Sequence, residues 1–150
     1  HLAWLAKKSM ETVLAELPAP KRSATWEAAL RDRARALRCV LRAHPNALPI
    51  FATRPAVTPA SLAHVEHVLD SLRGAGFSTR QALSAFQVVV TYVVGHTLAC
   101  YAPGTPGETS RPAYDQLNPE QFPRVREAAA LLPGHDLERE FEFGLDAPAT

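Results

Sequence analysis

Prolines divide this chain into a few windows, and that spacing constrains its fold more than any other feature. None of its 13 prolines falls between Lys21 and His44 or between Ala60 and Ala102. Each proline removes a backbone donor and disfavours helix in the residue before it. These two windows are therefore expected to hold the long helices. No window shows the sustained alternation of apolar and polar residues that marks a half-buried strand. The expected fold class is all-α.

Local signals divide the chain further. The run to about Leu17 is helical in composition and stops before Pro18 and Pro20. A second helix is expected from Thr25, a capping residue, to about His44, with Trp26, Leu30, Ala34, Leu37, Leu41 and His44 on one stripe. Arg31, Arg35, Arg38 and Arg42 lie opposite and read as a solvated face, with a phosphate-facing or partner-facing role as the alternative. A break at His44, Pro45 and Asn46 leaves room for little more than one turn before Pro55. Thr58 followed by Pro59 is a helix start, and Leu62, Val65, Leu69 and Leu72 repeat at helical spacing until Gly74 and Gly76.

Ser78 with Gln81 forms a capping-box pattern that opens a helix to about Tyr101. That helix is apolar on nearly every side except for a narrower stripe of Ser84, Gln87, Thr91 and Gly95. A helix of this kind must be covered on nearly every side. One domain of this length rarely supplies so much cover, so a second copy of the chain is expected against it, and the small residues Ser84, Thr91 and Gly95 let a partner helix approach. Residues 103–118, rich in Gly, Pro and Ser, read as a long mobile loop. Two more helices are expected, from about Pro123 to Leu132 and from about Asp136, the latter with Leu137, Phe141 and Leu145 on one side.

Charge excludes some functions. The net charge is +1, too small for a nucleic-acid surface spread over the whole domain. It is unevenly placed: residues 21–44 carry seven Lys or Arg against two acids, and residues 135–150 carry five acids against Arg139. Cys39 and Cys100 have no CxxC spacing, so neither a zinc site nor a disulfide framework is indicated and a reducing, cytoplasmic setting is expected. The longest apolar stretch, around Val88 to Val94, is far short of the roughly 20 residues of a membrane span, so no membrane partner is expected. The start at His1 reads as that of a fragment.

Candidate chemistry is sparse. His64 and His67 flank Glu66 and invite a metal reading, but both project away from the Leu62, Val65, Leu69 stripe and are taken as solvated. His96 shares a face with Phe86, Val89 and Val93, which fits a core histidine hydrogen-bonded to a neighbour or a ligand contact. No GxSxG, HExxH or P-loop spacing occurs, so no enzyme, cofactor or metal is expected.

The order of these features resembles the C-terminal domain of the tetracycline repressor (TetR) family. The matching pieces run from Trp26 to Leu30, Cys39 and His44, then Thr53-Arg54-Pro55, Leu69 to Leu72 with Gly76-Phe77-Ser78, Ala82-Leu83, Tyr92 to Gly95, and Phe141 to Gly144-Leu145. The resemblance implies a multi-helix regulatory domain, dimerising through a four-helix bundle made by the helices 78–101 and 136–146 of two copies. Residues 1–17 would then be the remnant of a linker from an absent helix-turn-helix domain, and 18–150 the ligand-binding and dimerisation domain. Operator DNA would be reached only through the absent part.

By the same resemblance, ligand-binding positions are Arg33, Leu37, Phe51, Arg54, Val68, Leu69, Phe86, Val89, Val90 and His96, and the dimer interface holds Ser84, Thr91, Gly95, Leu98, Leu137, Phe141 and Leu145. The histidine and carboxylate that help tetracycline-binding members hold a magnesium–drug complex are matched by Ile50 or Phe51 and by Ala99. The implied effector is therefore a mostly apolar organic molecule bound without metal. Arg33 lies within the buried stripe, where it is either a polar anchor for that ligand, part of an internal ion pair, or a stem that snorkels to solvent. The alternative function is a purely structural helical dimerisation module with no small-molecule ligand.

Overall fold

The structure, a computed structural model, describes residues 2–23, 25–53, 58–102 and 114–147. Among them are seven α-helices: α1 (Leu2–Ala15), α2 (Trp26–Ala43), α3 (Leu48–Thr53), α4 (Pro59–Gly74), α5 (Thr79–Tyr101), α6 (Pro123–Ala129) and α7 (Leu137–Asp146). The described residues contain no strand. Residues 103–113 of the expected loop, and Arg54, lie outside them. Tyr114–Gln116 forms a short helical turn, and α6 ends sooner than the expected Leu132.

Helix ends fall where local chemistry puts them. Thr25 accepts from the Ala28 amide at 3.2 Å, and Thr58 and Ser78 each close a capping box with Ser61 and Gln81. After α4, Gly76 takes φ +99°, while the Phe77 amide donates to the Leu72 carbonyl and the Gly76 amide to that of Arg73. This is the left-handed helix stop for which glycine avoids the Cβ penalty. Phe77 then meets Trp26 edge-on, with ring centroids 4.9 Å apart, and ties the α4–α5 corner to the start of α2.

Helix α5 is the axis of the fold, packed against α2, α3, α4 and α7. One core cluster joins Ala34 and Leu41 of α2, Leu48 of α3, Val93 and Val94 of α5, and Phe141 and Leu145 of α7. By length and composition α5 could also cross a membrane, and only 17% of its apolar window is buried within the protomer. Most of its apolar window thus lacks full cover among the described residues.

The arginine row on α2 is only partly solvated: Arg35 and Arg42 are exposed, Arg31 is half-buried and Arg38 is buried. It meets the acids of α7, which recur at i, i+4 and i+8 as Glu138, Glu142 and Asp146. Arg38 forks onto Glu138 at 2.6 and 3.0 Å, Arg35 onto Glu142 at 2.7 and 2.8 Å, Arg42 reaches Glu138 at 2.6 Å and Arg31 reaches Asp146 at 3.0 Å. Arg38 is buried, its guanidinium 4.5 Å from the centre of the Phe141 ring. The hydrogen bonds from Arg38 and Arg35 hold Glu138 and Glu142 below the usual carboxylate range.

Phe141 and Leu145, expected at a subunit interface, are buried in the protomer itself at 1% and 8% exposure. The same α7 that meets the arginines on one edge turns its apolar stripe into the core. Its large exposed apolar residue is Phe143.

Candidate functional site

A cavity of about 660 Å³ opens among α1 to α5. Its walls include Leu14 of α1, Leu17 just beyond it, Leu30 and Leu37 of α2, Phe51 of α3, Val65 and Val68 of α4, and Phe86, Val89 and Val90 of α5. This volume and this apolar lining suit a drug-sized organic molecule. The polar lining residues are Arg33, Ser61, His64, Gln87 and Thr91.

Leu37, Phe51, Val68, Phe86, Val89, Val90 and Arg33 line the cavity. Leu69 does not line the cavity; it packs with Val68, Leu72 and Ala82 in the cluster beneath it. His96 is not at the cavity either. Its ring packs against the edges of the stacked pair Tyr92 and Phe141, with Nε2 3.2 Å from a Glu140 oxygen. Of the expected interface residues, Thr91, Gly95 and Leu98 border the cavity, and Ser84 is exposed.

Arg33 is partnered inside the fold. It donates through Nε and Nη2 to Asp32 at 3.2 and 2.9 Å, through Nη1 to the Pro18 carbonyl at 2.6 Å and through Nη2 to the Ala19 carbonyl at 3.4 Å. Its side chain is 10% exposed. The bonds to Pro18 and Ala19 clamp the crossover between α1 and α2 and leave the charge at the cavity edge.

His64 is the site residue that the sequence reading missed. It lines the cavity, and its Nδ1 is buried without a hydrogen-bond partner among the described residues. Burial, with Arg33 and His67 nearby, pushes its imidazole below the ordinary histidine value, so it is held neutral. The error lay in the phase of α4. Its buried line is Ser61, Val68 and Leu72, with His64 between, whereas Leu62 is 51% exposed. A serine hides that line from a count of apolar residues, and Ser61 tolerates burial because its hydroxyl donates to the Thr58 carbonyl at 2.8 Å.

Residues 17–147 match the family model described as the tetracyclin repressor-like C-terminal domain. The chain belongs to that family.

As a TetR-family C-terminal domain, it is 34% identical over 80 residues to the HTH-type transcriptional repressor DrrR1 of Streptomyces coeruleorubidus, covering 53% of this chain and 30% of that one. It is also 34% identical over 92 residues to an HTH-type transcriptional regulator of Saccharopolyspora erythraea, covering 61% and 39%. The fold superposes on the TetR family protein ActR of Streptomyces coelicolor, solved in complex with actinorhodin, with TM-score 0.78 and 25% identity over 95% of this chain and 71% of that one. The matches to the two curated relatives thus span well under half of their length.

Proposed function

We propose that this TetR-family domain senses a mostly apolar small molecule in the α1–α5 cavity and, as a homodimer, passes occupancy to an operator-binding head on the same protein. The observation that carries the reading is the cavity itself: an apolar pocket of about 660 Å³ with a buried polar atom on its wall, His64 Nδ1, that has no partner among the described residues. Support comes from ActR, whose complex with actinorhodin has the same fold, and from DrrR1, which is a repressor. Ligand-released repression in the cytoplasm is the corresponding proposal for the whole protein.

His64 takes over as polar contact for the effector. Arg33 already makes four hydrogen bonds within the chain and contributes its charge rather than an idle fork. Helix α1 and the residues after it supply the route outward, because Leu14 and Leu17 touch the cavity and residues 1–17 would lead to the operator-binding head. Dimerisation through α5 and α7 would cover the α5 face that carries exposed Ser84, Val88, Thr91 and Gly95, together with Phe143 of α7.

Thermal denaturation with actinorhodin and a panel of apolar organic compounds tests this. A binder at 100 times its dissociation constant adds about 2.7 kcal/mol. Val90→Trp, which fills the cavity, is expected to abolish that shift while the fold persists, and His64→Leu to weaken it. A panel that leaves the transition unmoved favours the structural dimerisation module instead. A shift that survives Val90→Trp places the ligand elsewhere.

A further inference from the structure

Away from the cavity, where α5 crosses the start of α7, three side chains with metal-binding atoms converge. His96 and Cys100 lie one turn apart on α5, with Cys100 Sγ 3.9 Å from His96 Nε2, and Glu140 of α7 reaches the same Nε2 at 3.2 Å. The three donor atoms all lie within 4.8 Å of one another. Just before α7, His135 Nε2 stands 3.5 Å from the other Glu140 oxygen. None of the four residues lines the cavity.

We propose that His96, Cys100 and Glu140, with His135 as fourth ligand, form a site for one zinc-class divalent transition-metal ion that ties α7 to α5. Imidazole, thiolate and carboxylate are the zinc donor set, and bond lengths of about 2.0–2.3 Å place tetrahedral donors roughly 3.3–3.7 Å apart. The 3.2 and 3.9 Å separations from His96 Nε2 bracket that range, and His135, 3.5 Å from Glu140, would have to swing toward His96 and Cys100 to complete the set. His96 is the preorganised member, its side chain 9% exposed and packed beside the rings of Tyr92 and Phe141 at 5.7 and 5.5 Å. Glu140 and His135, 43% and 46% exposed, form the open side through which an ion enters.

Binding replaces the Cys100 S–H bond and the contacts of His96 and His135 with Glu140 by four bonds to the ion; the thiol proton leaves to solvent, and the proton on His96 Nε2 passes through solvent to Nδ1, the other ring nitrogen. The thiolate and carboxylate then balance the two charges of the ion. His96 Nδ1 is buried and has no acceptor among the described residues. A zinc-ligating histidine ordinarily donates there, and lacking that support costs about 10–100-fold in affinity. The site is therefore an exchangeable one rather than a permanent structural centre.

Cobalt(II) titration of the reduced chain, followed by zinc(II) competition, reads this directly. One ion per chain is expected, with a sulfur-to-cobalt charge-transfer band and the intense visible bands of tetrahedral cobalt, all lost on adding zinc. Cys100→Ser should remove the charge-transfer band, Glu140→Gln should weaken binding at least tenfold, and Cys39→Ser should change neither. Circular dichroism confirms that each variant is folded, and Glu140→Gln, on the exposed rim, keeps the test open if Cys100→Ser unfolds. No charge-transfer band at stoichiometric cobalt, a band that survives Cys100→Ser, or undiminished affinity in folded Glu140→Gln overturns the site.

Discussion

Tyr92 of α5 lies directly against the backbone of α7 at Gly144, where a Cβ would collide with its hydroxyl and its ring. The same hydroxyl donates to the Phe141 carbonyl at 3.1 Å, and the ring stacks on Phe141 with centroids 5.5 Å apart. Glycine is required here for proximity, not for backbone freedom.

Gly144→Ala is therefore expected to destabilise the domain by about 1–3 kcal/mol, the usual cost of overpacking a close contact. Urea denaturation measures the loss. Tyr92→Leu, made in the Gly144→Ala background, should recover part of it; an additive double mutant would show that the two residues do not meet.

The ion pairs between α2 and α7 should differ in value according to burial. Arg38 has a side chain 7% exposed, whereas Arg31 and Asp146 are 30% and 65% exposed. Glu138→Gln is expected to cost about 1 kcal/mol or more, because it weakens two charge-assisted contacts and leaves Arg38 poorly paired. Asp146→Asn should cost less than about 0.5 kcal/mol. Equal losses in denaturant titration would contradict the ranking.

His64 gives a pH signature. Its folded value is lowered by burial and by Arg33 and His67, so between the unfolded value near 6.5 and that lower value the unfolded chain binds more protons. Stability must fall as pH falls through this window. Melting temperatures recorded from pH 7.5 downward should decline more steeply in the parent chain than in His64→Leu. Parallel declines in the parent and His64→Leu would remove His64 as the source.

Association and folding should separate by position. Val88 is 61% exposed and Leu145 is 8% exposed in the protomer. Val88→Glu is expected to shift sedimentation from dimer to monomer with little loss of protomer stability, and Leu145→Glu to unfold the protomer. An unaltered chain that sediments as a monomer at micromolar concentration would refute the dimer.

Much of this architecture was legible from residues close together in sequence. Proline spacing and the caps at Thr25, Thr58 and Ser78 depend on backbone chemistry within a few positions, so helix boundaries followed from them. The apolar positions Leu37, Phe51, Val68, Phe86, Val89 and Val90 were implied by the family resemblance alone.

Tertiary structure alone decided what depended on partners distant in sequence. The arginines of α2 look solvated by themselves, because the acids that neutralise them lie about 100 residues later on α7. Periodicity defines an apolar stripe but not what covers it, so Phe141 and Leu145 could equally have faced a second copy until α7 was seen against α5 and α2. The burial of His64 was likewise set by the roll of α4 about its axis. Packing fixes that angle, and a stripe interrupted by Ser61 does not reveal it.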